Sequence, residues 1–148
     1  TLPIRDCQRR LISVIGRACL GEQKPKFRHG TGFHKTLYLY GEHRVVKGRR
    51  GYLLEGNFDP IFLTQCGYGN AVSTMGADIS PIQAEKICQF FSEVYVAMDP
   101  DKAGQDAEVK VKAMLGHRLP VKILALPGKD VDLLNYQQVR TVFGNPYG

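Results

Sequence analysis

Met98-Asp99-Pro100-Asp101-Lys102-Ala103-Gly104 closes the apolar run Val94 to Met98 and opens a segment in which Ala103, Ala107, Val111, Met114 and Leu115 recur at helical spacing as far as about Gly116. A buried strand that ends in two acids and runs straight into a helix is half of a strand–helix–strand unit. Three further apolar runs have the same look: Tyr52 to Leu54, Ala71 to Thr74 and Val121 to Leu126. Between them Phe58 to Gln65 reads as a helix stopped by Gly67, and Ser80 as N-cap with Pro81 at the first helical position starts another that runs to Phe91. A fourth helix is expected from Asp132 to Val142. Strands alternating with helices predict an α/β fold, a parallel sheet flanked by helices.

On that frame the acids fall at strand ends. Glu55 follows the first strand, Asp99 and Asp101 the third, Asp130 and Asp132 the fourth, and Asp59 lies one turn into the first helix. In an open parallel sheet the carboxyl ends of strands converge on one edge, where ligands bind. Carboxylates gathered there repel one another unless a hard cation such as Mg²⁺ or Mn²⁺ compensates them. Each acid alone has a plainer reading, because Asp99 or Asp101 could cap the helix that follows; capping does not account for acids on three separate strand ends.

Upstream the character changes. Residues 1–50 carry twelve Lys and Arg against three acids, a net +9, whereas 51–148 carry eight against eleven, a net −3. The first third is suited to a polyanion and the remainder to cations. Leu2 to Ile4 and Leu11 to Ile15, separated by polar Asp6 to Arg10, predict a β-hairpin leading to Cys19 and a turn at Gly21; 24–32 reads as a loop or linker, and Thr36 to Val46 fits neither period. The expected organisation is therefore a small basic β-rich subdomain, 1–50, and a sheet domain, 51–148.

Several classes are excluded. With 43% hydrophobic and 23% charged residues the composition is that of a globular protein, and no window approaches the ~18 apolar residues of a membrane span. Cys7, Cys19, Cys66 and Cys88 form no C-x-x-C pair, so free thiols in a reducing cytoplasm are expected and no zinc site. Gly128-Lys129 lacks the rest of a phosphate-binding P-loop. Tyr38, Tyr40, Tyr52, Phe90 and Phe91 are expected in the core rather than against bases. Thr1 is not an initiator Met, and the chain reads as a piece of something longer.

Leu54-Glu55-Gly56-Asn57-Phe58-Asp59, Met98-Asp99-Pro100-Asp101-Lys102-Ala103-Gly104 and Pro127-Gly128-Lys129-Asp130-Val131-Asp132 together resemble the three acidic elements of the Toprim domain, a Rossmann-like fold shared by primases, topoisomerases and some nucleases. Pro3-Ile4-Arg5-Asp6, Gly16-Arg17, Pro25-Lys26-Phe27 and Phe33-His34-Lys35 are similar to the segment that precedes it in DnaG-type bacterial and phage primases, and Asn70 to Gly76 to the run after the first acid. The resemblance covers residues 2 to about 134. It implies the catalytic, RNA-polymerase core of a DNA primase, which makes short RNA primers on a single-stranded DNA template from ribonucleoside triphosphates and meets a replicative helicase through other regions, in a bacterial cell or phage-infected host.

The roles follow from the same resemblance. Glu55, Asp99 and Asp101 would be catalytic; those three with Asp59, Asp130 and Asp132 would hold two or more Mg²⁺ or Mn²⁺ ions; Arg5, Arg17, Lys26 and Lys35 would hold template or triphosphate. Asn57 stands where the primase pattern has an aromatic residue, Pro100 where Gly is usual and His29 where a polar residue approaches nucleotide or DNA. The rival readings are a Toprim metal-dependent nuclease and a non-catalytic Toprim nucleic-acid-binding module.

Overall fold

The computed structural model describes residues 1–19, 24–25, 27–128 and 130–146. Gly21, Lys26 and Lys129 lie outside them. Four parallel strands, β4 (Arg49–Leu54), β5 (Ala71–Ser73), β6 (Phe91–Ala97) and β7 (Val121–Ile123), form a sheet in the order β5-β4-β6-β7. The helices between them are α1 (Asp59–Gln65), α2 (Pro81–Phe90) and α3 (Lys102–Leu115), followed by α4 (Tyr136–Phe143). This is the α/β arrangement that the alternation predicts.

Period-two alternation along the strands sorts the core into two layers. Leu53, Val72, Val94 and Val96 face α2 and α3, meeting Ile87, Phe90, Val111 and Leu115. Tyr52, Leu54 and Ala71 point the other way, against Leu63, Tyr68, Val139 and Phe143 of the α1 and α4 layer. Tyr40, Tyr52, Phe90 and Phe91 are buried and Tyr38 is half-buried.

Upstream, β1 (Leu2–Arg5) and β2 (Leu11–Arg17) pair antiparallel as the expected hairpin. The 24–32 stretch is not all loop: Phe27–His29 is a third strand, β3, with Arg17 opposite Phe27. Three residues are too few to show a period, and the unpaired edge of β2 recruits them. Ile4, Ile15, Tyr40 and Met75 form a small core, with Phe27 and Ile61 packed against it, which seats this sheet on the larger one. The ambiguous 36–46 stretch contains two 3-10 turns, Lys35–Leu37 and Glu42–Arg44. Fully buried Glu42 accepts from the amides of Cys7 and Leu39 and pairs with Lys86 at 2.8 Å. Buried Gln83 donates through Nε2 to the carbonyls of Tyr38 and Thr74, tying the same stretch to α2.

Some details depart from expectation. Phe91 starts β6 instead of ending α2, because the chain passes directly from helix to extended backbone. Strand β7 stops at Ile123, although the Leu124 amide still donates to Val96. Ala103 is exposed, and Gly104 takes its place on the buried face of α3. The expected 132–142 helix is a 3-10 turn, Val131–Leu133, followed by α4, whose start is fixed by reciprocal hydrogen bonds between Asn135 and Gln138.

Candidate active site

The chain leaves β4 for β5 on one side and returns to β6 on the other, so the connections diverge between β4 and β6. That divergence opens a crevice at the carboxyl ends of the two strands. Glu55 follows β4 and Asp99 lies just beyond β6, which puts them on either side of it. A cleft of about 330 Å³ there is lined by Glu55, Gly56, Asn57, Phe58, Asp59, Met75, Gly76, Asp99, Asp130, Asp132 and Leu133, with Arg17 and Phe27 reaching in from the small sheet. Five of the six expected acids share it.

Local structure holds each in place. The Asp99 amide donates to the Glu55 carboxylate, and the Gly56 amide donates to Asp59 Oδ2 at 2.9 Å. Asp130 and Asp132 are carried by the Val131–Leu133 turn, which packs against α1 through buried Val131. Asp101 is absent from the lining: it is the N-cap of α3 and accepts from the Gly104 amide at 2.9 Å. Its charge still reaches Glu55.

The electrostatics are those of an uncompensated cluster. Burial, then the charges of Asp99, Asp101 and Asp59, push Glu55 up to about 7, against the opposing pull of the Asp99 amide. Burial also raises Asp59, to about 6, helped by Asp132, Asp99 and Asp130 and opposed by the Gly56 amide. Glu55 Oε2 is buried with no hydrogen-bond partner. An orphaned carboxylate oxygen amid mutually repelling acids fits a hard divalent cation, which supplies both the missing partner and the missing charge. Among the described residues no three His, Cys, Asp or Glu side chains are already closed into a metal-holding group. Asp59 and Asp101 each spend an oxygen on a backbone amide, and Glu55 accepts from the Asp99 amide.

The basic candidates are placed differently from one another. Arg17 lies over the Phe58 ring at 4.7 Å and the Phe27 ring at 5.7 Å, so its guanidinium spans the two sheets at the cleft wall. It also lines a neighbouring hollow with Lys24 and Arg28. Lys35 Nζ donates to the Met75 carbonyl at 3.3 Å, on the cleft rim. Arg5 stands apart from the cleft, donating to the Arg9 carbonyl across the β1–β2 turn. Lys102 is exposed at the start of α3.

Sequence reasoning singled out none of Phe58, Met75, Gly76 or Leu133 as cleft residues. Met75 carries a signal only in its backbone, a left-handed φ of 61°.

Residues 52–135 match the family model described as Toprim-like, and that stretch carries all six acids. The chain belongs to the Toprim-like family. Within it, a DNA primase of Rickettsia felis is 33% identical over 117 residues, covering 74% of this chain and 20% of that protein. A DNA primase domain from Pseudomonas aeruginosa superposes with a TM-score of 0.77 at 31% identity, covering 94% of this chain and 46% of the other. A DnaG primase catalytic domain bound to single-stranded DNA gives 0.76 at 28% identity, again covering 94% of this chain and 46% of the other. The solved cores extend across both sheets, so the likeness to DnaG-type cores includes the basic segment ahead of the Toprim part. This chain spans about a fifth of the length of the curated relatives it matches.

Proposed function

We propose that this chain is part of the catalytic core of a DnaG-type DNA primase, which joins ribonucleotides into short RNA primers on a single-stranded DNA template with the help of Mg²⁺ or Mn²⁺. The observation that carries the reading is the meeting of two opposite surfaces: an acid-lined cleft at the strand ends, and Arg17 entering it from a basic sheet. A binding module needs only the basic surface; a nuclease could use both, and it is the likeness to primase cores across the basic segment that favours templated polymerisation.

In this reading Glu55, Asp59, Asp99, Asp130 and Asp132 hold the ions directly or through water, with Asp101 at the outer edge. Bound there, two or more divalent ions would lower the charge on the triphosphate and favour loss of the 3′-hydroxyl proton. Glu55, raised to about 7 in the metal-free cleft, would ligate an ion or accept the hydroxyl proton. Arg17 offers a two-pronged donor to phosphate oxygens, held in orientation by the rings on which it lies. Lys35 extends the positive edge along the template path, with Arg5 farther out, and Lys26 is given the same role on its sequence motif alone. Residues 1–50 serve as the strand-holding piece and 51–148 as the catalytic one. The setting is the bacterial or phage-infected cytoplasm, with a replicative helicase engaged by other regions.

The test is incubation with single-stranded DNA, labelled ribonucleoside triphosphates and Mn²⁺ or Mg²⁺, alongside Glu55→Gln and Asp99→Asn. Short RNA products that disappear in both variants support the proposal. Template cleavage with the same sensitivity would make the cleft a nuclease site. DNA binding indifferent to metal and to both substitutions, with no reaction, would leave a binding module.

A further inference from the structure

Asn57 is only 7% exposed, lines the acid cleft between Gly56 and Phe58, and keeps its Oδ1 buried without any hydrogen-bond donor. Leaving an amide oxygen in that state is costly, because the hydrogen bond it made to water in the unfolded chain is not replaced. The penalty is tolerable where a ligand arrives to relieve it. Glu55 Oε2, two residues earlier in the same cleft, is in the same condition. Both orphans are acceptors, and the remaining polar wall is mostly carboxylate: Asp59, Asp99, Asp130 and Asp132.

That pairing narrows the ligand. A free anion would meet five carboxylates against the single guanidinium of Arg17. A hydroxyl donor could satisfy one oxygen but would leave the crowded negative charge as it stands. A hard divalent cation satisfies several oxygens together and removes the repulsion, and amide oxygens are among its ordinary ligands.

We propose that Asn57 is a ligand of the divalent cation in this cleft, its Oδ1 giving a neutral oxygen beside the Glu55 carboxylate. The proposal rests on the reading of the cleft as a metal site. A neutral ligand adds a coordination bond without adding to the repulsion that already raises the cost of this cluster. Asn57 would therefore govern how tightly the ion is held while leaving the charge of the site unchanged.

Mn²⁺ alone, with no nucleotide or DNA, is the probe, titrated into this chain and read by calorimetry and by the electron paramagnetic resonance signal of the free ion. Wild type is expected to bind, Asn57→Ala to bind about tenfold more weakly, the low end for losing one partner at a metal site, and Asn57→Asp to bind at least as tightly as wild type. Circular dichroism of each metal-free variant monitors folding, and Asn57→Asp, which has the same shape, carries the test if Asn57→Ala does not fold. Wild-type affinity in Asn57→Ala, with loss of binding in Glu55→Gln, would overturn the role of Asn57 and leave the metal site standing. Weaker binding by Asn57→Asp than by wild type would also overturn it. No binding by wild type would overturn both readings.

Discussion

The bare α-carbon of Gly104 rests against the backbone of Asp99: a Cβ there would overlap the Asp99 carbonyl oxygen and stand 2.9 Å from its carbonyl carbon. Helix α3 can begin so close to the cleft only because residue 104 has no side chain. Gly104→Ala is expected to push the helix start away, at about 1–3 kcal/mol of stability as overpacking usually costs, and to weaken Mn²⁺ binding through Asp99. Urea unfolding and metal titration check this; an unchanged midpoint would mean that the helix start yields freely.

Glu55→Gln keeps the shape of the side chain and deletes a charge that sits badly in the metal-free cleft. It is therefore expected to raise the melting temperature of the metal-free protein at pH 8 while abolishing both Mn²⁺-induced stabilisation and primer synthesis. A variant less stable than wild type without metal would show that the Glu55 charge is already compensated.

The same group sets a pH dependence. Glu55 and Asp59 bind protons more tightly in the fold, at about 7 and about 6, than an unfolded carboxylate does. The stability they contribute is complete below the ordinary carboxylate range and is lost as pH rises through those two values. His29 and His43, which burial lowers, act in the opposite sense in an overlapping window, so the informative quantity is a difference. Between pH 5 and 8 metal-free wild type is expected to lose stability relative to Glu55→Gln, and saturating Mg²⁺ to remove the loss. Parallel curves for the two proteins would rule this out.

Lys86 is the only ion-pair partner found for fully buried Glu42 among the described residues. Lys86→Met strands that carboxylate, and a loss of about 3 kcal/mol is expected, the low end for breaking a buried pair because two backbone amides still serve it. Chemical denaturation reads this directly. A loss under about 1 kcal/mol would mean that the amides suffice.

Arg17→Leu retains apolar contact with Phe27 and Phe58 but drops the guanidinium. Single-stranded DNA binding is expected to weaken about tenfold, with a salt dependence shallower by about one phosphate contact. Fluorescence anisotropy at several salt concentrations separates loss of charge from loss of fold.

What was legible in the sequence is what depends on local chemistry. Val94 to Met98 and Tyr52 to Leu54 announce strands because a strand covered on both faces must be apolar throughout, and the acids directly after them fall in the crevice for topological reasons. What depended on a distant partner was not legible. Phe27–His29 is a strand only because β2 has a free edge. Asp99 and Asp101 look equivalent in sequence, yet one faces the cleft and the other caps α3. Nothing in the spacing of Arg17 and Phe58, forty-one residues apart, announces that one lies on the other.

The cleft draws on residue 17 at one end and residue 133 at the other, while β4, which delivers Glu55, is an inner strand flanked only by strands made later. Such long-range closure is slow relative to local helix formation. During synthesis the first acid must wait for the last, so no growing chain that stops short of Asp132 carries the full set of acids. Until the fold is complete, the acids have no common cleft in which to meet.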